Sequence, residues 1–286
     1  MSHAFIIAGL VVREGARRRL LLALLILTLI VIALAGWGFS RIPTFTQAGR
    51  PLTDVMVKTV ASQFLILTMF MFSFVLAMAA VFVAAPSIAN DVESGIALAM
   101  LSRPISRTEY VLGKWIGHAG LLALYAGGTA AILLLVVNAV VGYLPPEPVA
   151  FGGFLIGEGL VILTLALLLS TRLSGMVGGV IALVLFGIAW IGGIVGGIGA
   201  AFDNATVGHV GTATRLILPT DALWRGAVFT LEPAAVVSAS AQAGPAAAAN
   251  PFFAATALPL ALELYAVAWV AVLLGLTVLS FRSREP

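Results

Sequence analysis

Six apolar runs dominate this chain, and each is long enough to cross a bilayer. A helix needs about 20 apolar residues to span the hydrocarbon core. Runs of that length lie at about 20–39, 61–85, 115–138, 151–171, 175–200 and 256–280. Backbone surrounded by lipid must satisfy its own hydrogen bonds, so runs of this length read as helices. Only 9% of the 286 residues are charged, against about 25% in soluble domains, so water is not the solvent on all sides. The expected fold is an all-α integral membrane protein with six transmembrane helices, with residues 1–286 forming a single transmembrane domain. The first run continues past Ala33-Leu34-Ala35 through Trp37 and Phe39, which favours a full span over a cleaved leader.

Lys and Arg set the orientation. With the N-terminus cytoplasmic, ten of the fifteen basic residues face inward, and five (Arg41, Arg50, Lys58, Arg215 and Arg225) face outward. Six spans then return the C-terminus to the same side, so both termini are expected to be cytoplasmic. The net charge of +3 reflects this loop bias rather than a nucleic-acid surface. There is no cysteine, and His3, His118 and His209 are far apart, so neither a disulfide nor a metal-ligand spacing is present.

Three segments lie outside the spans. Residues 1–19 pair an apolar half too short to cross with a basic half, Arg13 and Arg17–Arg19, the pattern of an interfacial elbow helix. Residues 201–255 form the long extracytoplasmic stretch. Within it "LPTDALWRGAVF" reads as a short amphipathic helix capped by Thr220 or Asp221, and the Ala-rich sequence that follows reads as loop. Residues 86–114, between spans two and three, are cytoplasmic, charged and punctuated by proline. Pro86 should end or kink the second span. Asp91 then caps a short helix with Val92, Ile96 and Met100 on one stripe. Ser102-Arg103-Pro104 stops it, and Ser106 with Glu109 forms a capping box for the next helix.

Asn90-Asp91-x-Glu93-x-Gly95, Leu101-Ser102-x-Pro104-Ile105-Ser106-Arg107 and Leu112-Gly113-Lys114 together resemble the first cytoplasmic loop of type-2 (exporter-like) ABC transporter permeases. Within that family the likeness is greatest to permease subunits that serve nitrous-oxide reductase maturation. Arg13-Glu14 with Arg17–Arg19 is similar to the family's basic elbow, and "GKWIGH" and "LPTDALWR" have counterparts there. Ile96 departs from the Thr that commonly follows this Gly. The resemblance implies a permease subunit of a bacterial-type inner membrane. It implies a homodimer with two separate cytoplasmic ATPase subunits that bind ATP and Mg, and export of a substrate related to copper or sulfur. An accessory periplasmic protein is a further implied partner. Segment 86–114 would then hold a coupling helix that takes up ATPase motion, with Asp91, Glu93, Gly95, Arg103, Pro104, Arg107 and Lys114 as coupling residues. Consistent with hydrolysis on another chain, this one has no GxxxxGK[ST]; Gly113-Lys114 is followed by Trp115. Without the resemblance, the segment reads equally as a solvated loop.

Glu158 and Glu263 fall inside spans four and six, about seven residues from their outer ends, and Asn138 lies near the outer end of span three. Intramembrane carboxylates face protein or water. They line a substrate path or proton relay, or they hydrogen-bond between helices. A proton-coupled secondary transporter using Glu158 and Glu263 is therefore the alternative to ATP-driven transport, and a non-transporting mechanical or assembly subunit is a third reading. Span five carries GxxxG pairs at Gly175/Gly179, Gly192/Gly196 and Gly193/Gly197, which serve a dimer interface or packing within the chain.

Overall fold

The computed structural model of the chain describes residues 3–284 apart from Arg18, Ala48, Arg103 and residues 245–248. Helix α1 (His3–Arg17) precedes α2 (Arg19–Arg41), which ends in a 3-10 turn and a two-residue hairpin, β1 (Thr46–Gln47) with β2 (Arg50–Pro51). Then come α3 (Asp54–Glu93), α4 (Ile96–Leu101), α5 (Arg107–Val141), α6 (Pro148–Leu169) and α7 (Gly175–Ala201). Three shorter helices follow, α8 (Ala205–Ile217), α9 (Thr220–Leu231) and α10 (Ala234–Gln242), before α11 (Leu260–Arg282). Among the described residues six helices are long and apolar enough to cross a membrane, and they coincide with the six expected spans.

Burial divides the six. In the apolar stretches of α3 and α6, 56% and 50% of residues are buried, against 22% and 17% in those near α2 and in α11. Helix α6 is the hub, packed on α3, α5, α9 and α11, and α3 adds α7. Helix α1 docks on the start of α5 through Ala4, Ile7, Ala8 and Val11, an i, i+3, i+4, i+7 stripe. Small residues on α5 allow this. A Cβ on Gly113 would lie 2.7 Å from the Ala4 carbonyl oxygen, and one on Gly117 2.7 Å from Val11 Cβ. The opposite face of α1, with Phe5, Ile6 and Leu10, is exposed.

Polar contacts place the termini and segment 86–114 at one end of the bundle. His3 meets Glu109 at 3.2 Å, Arg107 reaches the carbonyls at the end of α11, and Arg284 donates to Thr171 O at 2.6 Å. The other end is closed by α8, α9 and α10. There Trp224 donates to Pro251 O, and Trp269 to Ile217 O, both at 3.0 Å.

Several local expectations are corrected. Pro86 does not end the second span; α3 runs through it for seven more residues. Ala84, Ala85 and Ile88 around it are buried, and packing of this turn outweighs the one hydrogen bond that proline removes. Asp91 therefore caps nothing. It lies in the last turn of α3, and Val92 and Ile96 are on different helices. In segment 201–255 α9 begins after Pro219 with no side-chain cap, and it is buried rather than lying on the surface. The Ala-rich stretch is helical over α10.

Candidate functional site

Segment 86–114 is built around a left-handed glycine. Gly95 has φ +75°, a conformation that costs any residue with a Cβ. The break ends α3, whose final carbonyls take the Ser94 and Gly95 N–H groups at 2.9 and 3.2 Å, and α4 starts immediately. After Pro104 the capping box forms as expected. Ser106 Oγ accepts from Glu109 N at 3.1 Å, and Glu109 Oε2 accepts from Ser106 N at 3.0 Å.

Charge ties the flanks of α4 to the bundle. Asp91 accepts from Lys114 Nζ at 2.7 Å and from the Tyr110 hydroxyl at 2.6 Å. Tyr110 in turn stacks on Phe281, ring centroids 5.1 Å apart. Arg107 donates to the carbonyl oxygens of Phe281, Arg282 and Arg284 at 3.1, 2.8 and 2.6 Å. These carbonyls lie at and just past the end of α11, where a cation is favoured. Asp91, Arg107 and Lys114 thus join α3, α5 and α11. Glu93, the last residue of α3, is exposed and makes no polar contact among the described residues. Ile96 and Leu98 on α4 are 49% and 58% exposed, while Ala97 is buried. The expected buried stripe is therefore rotated, and α4 turns an apolar pair outward beside Glu93. Pro104 is exposed. Arg103 lies outside the described residues, as do the side chains of Arg17–Arg19.

The intramembrane polar residues separate. Glu158 is 3% exposed and accepts from Ser73 Oγ at 2.7 Å. It lies ten residues into α6, about 15 Å of helix rise and deeper than expected. Glu263 is in the first turn of α11, shallower than expected, and lines an open cavity of about 620 Å3 with Glu147, Trp115 and Gly157. Glu158 is not among the residues that line that cavity. Asn138 is exposed in the last turn of α5.

The glycines of α7 are filled from within the chain. Cβ atoms on Gly192 and Gly193 would collide with Thr214 and Asp221, and one on Gly196 would lie 2.6 Å from Gly211 Cα. Gly175 and Gly179 face Pro86 and Val81 of α3, and Gly197 is buried. Packing inside the chain, the second of the two sequence readings, occupies this face.

Sequence reasoning missed a polar cluster at the end of the bundle away from the termini. Asp221, with no exposed side-chain surface, accepts from Arg215 Nε at 2.7 Å and Arg225 Nε at 3.3 Å. Arg225 Nη2 donates to Gly193 O at 3.2 Å. The i, i+4 spacing of Asp221 and Arg225 was legible; Arg215, on another helix, was not. Glu232, 1% exposed, accepts from Ala254 N at 3.2 Å. Burial pushes its carboxyl up to about 7, against the opposing pull of the Ala254 N–H and Gln63. No local sequence pattern marks it.

Comparison with known proteins agrees with the geometry. The family described as ABC-2 family transporter protein matches residues 6–285. A probable ABC transporter permease protein NosY from Pseudomonas aeruginosa is 29% identical over 180 residues, 61% of this chain and 62% of the relative. The protein of the same description from Stutzerimonas stutzeri is 27% identical over 183 residues, 61% of each. The aligned part thus spans about three fifths of the length of these relatives. A match across nearly the whole sequence, on a bundle with six apolar helices long enough to span, means that this chain belongs to the ABC-2 transporter family as a multi-pass membrane permease.

Proposed function

We propose that the chain is the membrane subunit of an ABC transporter. It pairs with a second copy and with two separate ATPase subunits that carry ATP and Mg, and it moves substrate outward across a bacterial-type inner membrane. The observation that carries this reading is α4. It is a short helix set off by Gly95 and Pro104, with Ile96, Leu98 and Glu93 outward and ionic ties from Asp91, Lys114 and Arg107 to three spans. A groove on a soluble partner that grips α4 would move α3, α5 and α11 together, because the ties leave little independent motion. Helix α1 would lie in the interface of the same leaflet, its apolar face in lipid. The ten-to-five basic bias and the common end of both termini support a cytoplasmic assignment for that end.

Co-expression with its ATPase tests the reading. The chain is expected to purify with that subunit and to hydrolyse no ATP alone; turnover by the isolated, contaminant-free chain would overturn it. For orientation, a cysteine at Ser102 is expected to react only from the cytoplasm and one at the exposed Ser238 only from outside. Labelling from the opposite side at either position reverses the assignment.

A further inference from the structure

The groove of about 620 Å3 that Glu263 lines runs along α6 and α11. On α6 its lining extends from Glu147, the residue before the helix, to Val161, about 20 Å of helix rise. On α11 it extends from Glu263 to Val270, about 10 Å. Trp115 of α5 stands at the deep end, its indole N–H held by Thr164 Oγ1 at 2.9 Å. Tyr265 and Trp269 of α11 donate to the carbonyls of Leu216 and Ile217, which fixes the helix while its grooved face stays open. Gly157 keeps the floor low: a Cβ there would lie 3.6 Å from Leu223, another lining residue. Val267 at the edge is 68% exposed, so the groove opens sideways, where lipid lies.

Charge is confined to one end of this groove. Glu147 and Glu263 stand at the starts of α6 and α11, where negative charge is favoured, at the end of the bundle away from the chain termini. Neither side chain has a polar partner among the described residues, and no Lys, Arg or His among those residues lines the groove. Residues 245–248, which link α10 to α11 at this end, are Pro-Ala-Ala-Ala and carry no charge. Arg17–Arg19 and Arg103 adjoin α1 and α4, at the opposite end. Two uncompensated carboxylates at the head of a long apolar groove call for an occupant with a cation at one end and an apolar body behind it. An inorganic cation would make no use of the apolar length. A fatty acid would add a third negative charge, and a phospholipid would bring its phosphate close to the same carboxylates. We propose that the groove binds a cationic amphiphile, a single-chain amine or quaternary ammonium. Its cation lies toward Glu147 and Glu263, and its chain follows α6 toward Trp115. The site stands independently of any ATPase partner.

Photolabelling of the full chain in phosphatidylcholine nanodiscs tests it, with diazirine probes of equal chain length: an alkyltrimethylammonium, an alkyl alcohol and an alkyl carboxylate. The ammonium probe is expected to label α6 and α11 saturably, as located by peptide mass spectrometry, and to be displaced by dodecyltrimethylammonium. The alcohol and the carboxylate should label these helices no more than they label α2. Glu147→Gln combined with Glu263→Gln should weaken binding of the ammonium probe by about tenfold, the loss of two exposed ion pairs. Gly157→Leu, which raises the floor of the groove, should abolish saturable labelling while helicity and thermal midpoint stay as in the wild type. Equal labelling by all the probes, wild-type affinity in the double Gln variant, or unchanged labelling in folded Gly157→Leu each overturns the proposal. Should Gly157→Leu fail to fold, the probe preference and the double Gln variant decide the matter.

Discussion

The two ends of this bundle handle charge in opposite ways. At the end away from the termini Asp221 and Glu232 are both 1% exposed, enclosed by α7, α8, α9 and the backbone at Ala254. At the end that holds the termini, Glu93 is bare, Arg107 spends its donors on backbone carbonyls, and α4 exposes Ile96 and Leu98. The end away from the termini is a closed cap in which Asp221 faces two arginines and Glu232 a backbone N–H. The opposite end is an open platform whose ions fasten helix ends and leave a surface free. Buried pairs are costly to break, and exposed charges contribute little to stability. The same kind of substitution should therefore act very differently at the two ends.

The largest effect is expected at Asp221. Asp221→Ala leaves Arg215 and Arg225 without their shared anion and should cost about 4 kcal/mol, seen as loss of folded protein or a large drop in thermal midpoint. A near-wild-type midpoint would mean that the cap does not depend on its ion cluster. Lys114→Met tests the best-protected pair of the platform and leaves Asp91, among the described residues, with Tyr110. A loss of about 2 kcal/mol is expected; a loss as large as that at Asp221 would erase the contrast between the ends.

Glu232 gives the cap a pH dependence. Its carboxyl titrates near 7 in the folded chain, above its ordinary value of 4.5, so between those pH values the folded state holds a proton that the unfolded state has released. Stability from this group is therefore full below about 4.5 and falls as pH rises through about 7, by no more than about 3 kcal/mol once solvent screening is allowed for. Thermal unfolding of wild type and Glu232→Gln from pH 4.5 to pH 8 should show the wild type losing ground as pH rises. Parallel curves would remove Glu232 from the account.

The smallest effect is expected at Glu93. As the last residue of α3 it sits at the negative end of the helix dipole, so Glu93→Gln should leave stability unchanged or raise it by about 0.3–1 kcal/mol. If α4 is a docking surface, the same substitution should weaken association with the ATPase in a co-purification assay. Unchanged association would move the contact to Ile96 and Leu98.

What was legible in the sequence was what lipid dictates. Six apolar runs became six long helices because a backbone in hydrocarbon has no other economical arrangement, and Ser106 with Glu109 capped α5 because that motif is complete within four residues. The failures share a cause in packing between distant segments. Pro86 reads as a breaker, but its turn is buried, and Gly175 of α7 comes close against it. Charges in "LPTDALWRGAVF" suggest a face toward water; they face Arg215 and the Gly193 carbonyl instead. At the candidate coupling site Asp91, Arg107 and Lys114 were legible as residues. Their partners, Tyr110 and the carbonyls ending α11, became visible only in three dimensions.

Helix α3 has 40 residues and is about 60 Å long, roughly twice the thickness of the hydrocarbon core. It starts beside the β1–β2 hairpin and stops at Gly95, where the chain meets α4. A rod of that length is a lever. Pivoting by 5° about its middle, it carries each tip about 2.6 Å in opposite directions, and no loop or left-handed residue along its length takes up the swing. A nudge at Gly95 would arrive at Asp54 with its sense reversed, so the end of the bundle at the hairpin would answer to events at the opposite end through a single piece of secondary structure.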